Sequence, residues 1–261
     1  RHFPQLASKA AWWDLERVFG DADLLSAPTG RAVDLLADST GLPRAEVISC
    51  GIDLSRYADL SPASAPTGPT FLFVGRLEQE KNLDELLRAF ALVPAAARAR
   101  LEVVGMGSLR ARLEALADEL GIASAVTFAG AVSEDDLLAA YGRADVFVMP
   151  GTAELQSLAT LEAMAAGRPV VAADAMALPH LVRDGENGYL YPPGDAAALA
   201  ARLTGLATDP GRRREFGAAS RRIAERHSLS ATVDAFEDCY GRILAAQFAD
   251  TEVGAGLSRA W

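Results

Sequence analysis

Two glutamates separated by seven residues, Glu154 and Glu162, flank a short Ser157-Leu158-Ala159 segment in a stretch that otherwise reads apolar as far as Val171. Ser is a favoured helix cap, and Leu158, Leu161, Met164 and Ala165 follow at helical spacing, so a helix is expected to begin at Ser157. Glu154 then lies in the preceding loop and Glu162 about one turn inside the helix. Placed so, the two acids can bracket a ligand whose phosphate sits on the free N–H groups of the helix start. A lone glutamate is usually just solvated. Glu162, however, stands among Leu161, Ala163 and Met164, and an acid in such surroundings needs a partner. Ribose hydroxyls would be one.

A second constellation comes earlier in the chain. Gly75 and Arg76 follow an apolar run, with Lys81 and Asn82 just beyond. Glycine lets a ligand approach the backbone, and the two cations could clamp a diphosphate, Arg76 as a fork and Lys81 as a point charge, with Asn82 capping the next helix. The alternative is an ordinary charged loop in which Glu78 and Glu80 pair with both cations. Position favours a site, since Gly75 ends a strand that opens on the same crevice as Glu154. Gly105, Met106 and Gly107 begin like a dinucleotide fingerprint, but Arg110 stands where the third glycine belongs. Gly107 therefore reads as a tight turn, while Gly105 and Met106 can still border a nucleotide. Gly130, Ala131 and Val132 read as a turn before a Ser133 cap. His180 reads as a packed helix histidine rather than a base, and Trp12 with Trp13 as core packing rather than a lipid anchor.

These residues need a scaffold, and the pattern supplies one. Apolar runs at 70–75, 101–105, 126–130, 146–150, 170–173 and 189–191 alternate with helical patterns at 82–93, 108–120, 134–141, from 157, near 178 and at 197–206. Continuous apolar runs separated by crossover helices predict an α/β domain with a doubly wound parallel sheet, whose ligands belong at the carboxyl ends of the strands. Upstream, an amphipathic segment at 5–19, an apolar stretch near Leu24, a helix at 29–36 and a strand at 47–50 make a partial α/β segment. A linker rich in Pro and Ser at 61–69 separates the two. Helices are expected again at 211–226 and 230–244, and the sequence after Phe248 has no pattern.

The chain has 261 residues, half of them apolar, with a formal charge of −10 and a pI near 4.8. That acidity argues against a nucleic-acid partner, so any phosphate site has to be local. Charged residues interrupt every apolar run short of a transmembrane segment, and no signal peptide opens the chain, which points to a soluble cytoplasmic protein. Cys50 and Cys239 lack metal spacing and read as two reduced core thiols, and the histidines form no ligand cluster. The start at Arg1 reads as the middle of a longer polypeptide.

Residues 73–82 (Phe-Val-Gly-Arg-Leu-Glu-Gln-Glu-Lys-Asn), the spaced glutamates and residues 184–195 (Asp-Gly-Glu-Asn-Gly-Tyr-Leu-Tyr-Pro-Pro-Gly-Asp) together resemble retaining glycosyltransferases of family 4. The likeness covers roughly residues 71–195. It implies the GT-B fold, two Rossmann-like domains facing across a cleft, with the donor held by the C-terminal one. In this chain that domain would be 61–229, preceded by a remnant of the N-terminal, acceptor-side domain at 1–60 and followed by a crossover helix at 230–248 and a tail at 249–261. The resemblance further implies that Arg76 and Lys81 neutralise the leaving diphosphate in place of a metal ion, so that no metal or other cofactor is needed. Glu154 would contact the transferred sugar and Glu162 the ribose hydroxyls, while N–H groups of Ser157, Leu158 and Ala159 meet the distal phosphate. Gly105, Met106, Ala131 and Val132 would line the base and ribose pocket, with Gly75 also donor-binding.

The implied reaction is transfer of a hexosyl unit from a UDP- or GDP-sugar to an acceptor hydroxyl, by a chain expected to be truncated and to turn over little alone. A non-catalytic nucleotide-sugar-binding module and another GT-B enzyme, such as a nucleotide-sugar epimerase, are the alternatives. The acceptor is open among lipid, glycan and small molecule, as is peripheral contact with the inner membrane face. Two departures from the family pattern stand out. Leu155-Gln156-Ser157 replaces the more usual run after the first glutamate, and the glycine-rich loop and histidine of the N-terminal domain have no counterpart.

Overall fold

The computed structural model describes residues 17, 19–40, 45–60 and 68–257. The expected helix carrying Trp12 and Trp13 lies almost wholly outside these residues, as do residues 61–67 of the expected linker. Two units form, one from Ile52–Ser228 and the other from the described residues before and after that span.

In the smaller unit, β1 (Ser26–Ala27) and β2 (Glu46–Val47) pair in parallel across α1 (Gly30–Thr40), the expected partial α/β segment. The second strand stops at Val47 rather than running over 47–50: its partner ends at Ala27, whose carbonyl accepts from the Ile48 N–H (3.0 Å), and the Ser49 carbonyl instead accepts from Thr232 Oγ1 (2.8 Å) of the C-terminal helix, Leu229–Leu257. That helix continues through the stretch after Phe248 where the sequence shows no periodicity, since an established helix gains one hydrogen bond for each residue added. Cys239 is buried on it, as expected, but Cys50 is exposed and is not a core thiol.

The larger unit is built on β3 (Thr70–Val74), β4 (Arg100–Val104), β5 (Val126–Gly130), β6 (Val146–Met149), β7 (Val170–Ala173) and β8 (Gly188–Tyr191). All pair in parallel, in the spatial order β5-β4-β3-β6-β7-β8. Between and after them run α2 (Leu83–Ala91), α3 (Arg110–Glu119), α4 (Glu134–Arg143), α5 (Leu158–Ala165), α6 (Leu178–Leu181), α7 (Ala196–Thr208) and α8 (Pro210–Ala224). Phe71, Leu72 and Phe73 of β3 and every residue of β6 and β7 are buried, which is the pattern of strands covered by helices on both faces. The edge strand β5 instead alternates half-buried and exposed residues.

The winding determines where a site can form. The chain moves outward from β3 to β4 to β5, then returns to lay β6 on the other side of β3. β3 stays paired with β4 as far as Val74↔Val104, but with β6 only at Phe71↔Val146 and Leu72↔Phe147. Beyond those pairs the carboxyl ends of β3 and β6 part. The crevice between them is the point of reversal at which open parallel sheets bind ligands.

Candidate active site

The loops after β3 and β6 are stitched together across this crevice. Asn82 stands at the cap position of α2 with φ of 48°, a left-handed conformation that Asn tolerates. Its side chain does not cap the helix, contrary to expectation. Nδ2 donates instead to the Pro150 carbonyl (3.3 Å) and Thr152 Oγ1 (3.4 Å), and the Thr152 N–H donates to the Glu80 carbonyl (3.0 Å).

The charged-loop alternative required Glu78 and Glu80 to occupy both cations. Glu78 is drawn off by Ser108, whose N–H and Oγ donate to its two carboxylate oxygens at 2.8 and 2.7 Å. Arg76 pairs with Glu80 at 2.8 Å, but its side chain is 74% exposed, so the pair is weak and the guanidinium can turn to a ligand. Lys81 crosses the crevice and pairs with Glu154. These two side chains are only 14% and 11% exposed. Gly151 makes room for them: a Cβ there would lie 3.0 Å from Glu154 Oε1 and 3.5 Å from Lys81 Cδ.

Ser157 caps α5 as expected, accepting from the Thr160 N–H at 3.4 Å. The N–H groups of Ser157, Leu158 and Ala159 precede the first intrahelical donor of α5 and point out of the helix start. Glu162 follows one turn on and interacts with two tyrosines, Tyr57 and Tyr141 of α4, the latter donating its hydroxyl to Oε2 at 2.7 Å. Tyr141 is fully buried and packs edge-on against Tyr57, with ring centroids 6.0 Å apart. Burial first, and then the charge of Glu162, raise both phenols above the usual tyrosine range, so they stay protonated donors. A carboxylate has about four acceptor positions, so the Tyr141 bond orients Glu162 without exhausting it. The apolar setting of Glu162 signalled only that a donor was needed, and nothing in the spacing pointed to Tyr141 or Tyr57.

On the β4 side, backbones press together. Gly105 has φ of 137°, and a Cβ on it would lie 1.9 Å from the Gly75 carbonyl oxygen. A Cβ on Gly107 would meet the Leu77 carbonyl oxygen at 2.3 Å, so the tight turn expected there is a close packing of two loops. Met106 stands exposed beside them, its carbonyl accepting from the Leu77 N–H at 2.8 Å. A register shift between β4 and β5 precedes Gly130, after which Ala131 is exposed, Val132 half-buried and Ser133 the cap of α4. Arg110, in the third fingerprint position, ties α3 to the Phe128 carbonyl (3.0 Å) and pairs with Glu114.

The expected site residues thus fall at the carboxyl ends of β3, β4, β5 and β6, with Arg76, Lys81 and Glu154 joined through the β3 and β6 loops and Glu162 behind the start of α5. His180 is exposed on α6 and is not the packed histidine expected. Among the described residues no three or more His, Cys, Asp or Glu side chains converge in a way that could hold a metal ion.

The family description "Glycosyl transferases group 1" matches residues 61–223. The chain belongs to this family. Curated relatives include the D-inositol 3-phosphate glycosyltransferases of Rhodococcus jostii, 35% identical over 86% of this chain and 54% of the relative, and of Thermomonospora curvata, 38% identical over 86% and 58%. The chain spans about half the length of the curated relatives it matches. Among solved structures, sucrose-phosphate synthase from Thermosynechococcus elongatus has a TM-score of 0.82 at 26% identity, covering 94% of this chain and 65% of that one. HepE from Anabaena, in complex with UDP and glucose, has a TM-score of 0.79 at 23% identity over 92% and 68%, a likeness of fold alone. The Rossmann-like parallel sheet and the GT-B glycosyltransferase kinship expected of this group 1 chain are therefore established.

Proposed function

We propose that the chain is the donor-binding part of a glycosyltransferase that moves a hexosyl unit from a UDP- or GDP-sugar to an acceptor hydroxyl, with retention at the anomeric carbon. The observation that carries this reading is the Lys81–Glu154 pair spanning the β3/β6 crevice, with Arg76 beside it and the start of α5 next in the chain. The distal phosphate would rest on the N–H groups of Ser157, Leu158 and Ala159. Arg76 and Lys81 would take up the negative charge that grows on the diphosphate as its bond to the anomeric carbon breaks. Two cations would do there what a divalent metal does, so the proposal needs no metal or other cofactor.

Glu154 would exchange Lys81 for a hydroxyl of the transferred sugar, and Glu162, oriented by Tyr141, would take the ribose hydroxyls. Gly75, Gly105, Met106, Ala131 and Val132 would border the nucleotide. The acceptor side would belong to an N-terminal domain to which 1–60 contributes and against which 230–248 would pack. Relatives named for D-inositol 3-phosphate make that the first acceptor to assay, before lipids and glycans. No described helix is long and apolar enough to cross a membrane, and the reading keeps a cytoplasmic location, with peripheral contact at the inner membrane face left open.

The test is calorimetric titration of UDP, GDP and ADP and their sugars into the chain in the presence of EDTA. Binding of a UDP- or GDP-sugar that is lost in Lys81→Ala supports the proposal, and no binding of any of them ends it. Product analysis with the acceptor domain present separates transfer with retention from epimerisation and from binding without turnover.

A further inference from the structure

At the other end of the sheet, a cavity of about 490 Å³ opens between the amino-terminal ends of β6 and β7 and one face of α8. Its charge is one-sided: Arg168, Arg213, Arg214 and Arg221 line it, against the single carboxylate of Asp145. Arg168 is 1% exposed. Its Nη2 donates to the Leu60 carbonyl at 3.0 Å, while its Nε is buried with no hydrogen-bond partner among the described residues.

One carboxylate serves all four arginines. Asp145 acts on Arg168 through its charge, but it also accepts from the Thr70 N–H at 2.9 Å and pairs with Arg213 Nε at 3.5 Å, so a single negative charge faces four guanidinium groups. Arg213 and Arg221 spend other donors on carbonyls of Leu206, Ala207, Ala58 and Leu60, which satisfy hydrogen bonds but bring no negative charge. Arg214 is exposed at the rim. A buried guanidinium among other cations is costly unless an anion compensates it. Burial, and then the charge of Arg221, push the Arg168 pKa down to about 10. The cavity is also part of the packed frame, because Gly217 brings α8 so close that a Cβ there would lie 2.2 Å from the Gly167 carbonyl oxygen.

We propose that this cavity is a second anion site, taking a small phosphorylated ligand and separate from the nucleotide-sugar crevice. Guanidinium donors match phosphate oxygens in paired, bidentate fashion, and the volume lies in the range of small-molecule pockets. β6 alone, four residues long, sets the two ends roughly 13 Å apart, so the donor's diphosphate in the crevice does not reach the arginines.

Inorganic diphosphate is the probe, titrated into the full chain by calorimetry with and without saturating UDP, and then into Arg214→Glu and Arg213→Gln. Diphosphate should still bind when UDP is saturating, weaken as salt rises, and lose about tenfold or more in affinity in either variant, as expected for one charged hydrogen bond. UDP affinity should be unchanged in Arg214→Glu, whose exposed position spares the fold. The proposal is overturned if UDP abolishes diphosphate binding, if no diphosphate binds, or if Arg214→Glu binds it as well as the parent. A chain that fails to bind UDP would count against the crevice alone, because the dependence on Arg214 is read separately.

Discussion

Replacing Glu154 with Gln should pull apart the affinities for UDP and for UDP-sugar. Glu154 holds Lys81, with side chains 11% and 14% exposed. Exposed ion pairs contribute roughly 0.2–1 kcal/mol, and removing one partner of a fully buried pair costs about 3–5 kcal/mol. A pair of intermediate burial therefore couples by about 2 kcal/mol. UDP has no sugar for Glu154 to hold, so it must recruit Lys81 against that coupling. Glu154→Gln removes the competitor, and UDP should bind more tightly by up to about 30-fold, at 1.4 kcal/mol per factor of ten. UDP-sugar gains the same relief but gives up a hydrogen bond to a charged group, roughly 1.5–3 kcal/mol, and should end near or below its starting affinity. Calorimetry on both ligands, with a urea midpoint to show that the variant is folded, reads the difference directly. If UDP and UDP-sugar weaken together, Glu154 neither competes for Lys81 nor touches the sugar, and the assignment fails.

Arg76→Ala should lose roughly 1.5–3 kcal/mol of UDP affinity with little change in melting temperature, because its pair with Glu80 is solvent-exposed; unchanged affinity would return Arg76 to the charged-loop reading. Tyr141→Phe keeps the ring in the core and removes the hydroxyl that donates to Glu162 and lies 3.3 Å from the Ala159 carbonyl, so UDP should bind about tenfold more weakly. Glu162→Ala should weaken it in the same direction, and a double variant showing the full sum of the two losses would mean the residues act independently. Stability should fall at high pH: buried Tyr57, Tyr141 and Tyr191 have raised pKa values, chiefly through burial, above the ordinary 10.0. The unfolded chain then releases these protons above about pH 10 while the folded chain keeps them, so stability present below that pH is lost above it, by about 1.4 kcal/mol per pH unit for each tyrosine. Urea midpoints that stay level between about pH 9 and pH 11 would contradict this.

What could be read from the sequence was what the chain settles over a few residues. The continuous runs of β6 and β7, the Ser157 cap and the Ser133 cap are local facts and came through intact. What could not be read were hydrogen bonds whose partners depend on strand order. Asn82 reads as a cap because a helix follows it, yet its side chain reaches 68 residues along the chain to Pro150, since β6 returns beside β3. Glu78 reads as a partner for Arg76 and is taken by Ser108, 30 residues away. Gly75 and Gly105 read as openings for a ligand, and Gly105 is also required by the Gly75 carbonyl, which a Cβ on it would strike, because β3 and β4 carry the two side by side.

The same long-range bonds alter the chemistry expected of the crevice. Both glutamates that the sequence reserves for a ligand have partners within the protein, Lys81 for Glu154 and Tyr141 for Glu162. The two cases differ in kind. Tyr141 is buried behind α5 and would keep its bond if Glu162 takes ribose, so that contact would be preorganised. Lys81 is held by Glu154, so on the proposed reading a donor's diphosphate would exchange one ionic contact for another there. Affinity at the diphosphate is then the difference of two similar terms rather than their sum, and it should respond far more strongly to the charge at position 154 than to the loss of any single neutral contact.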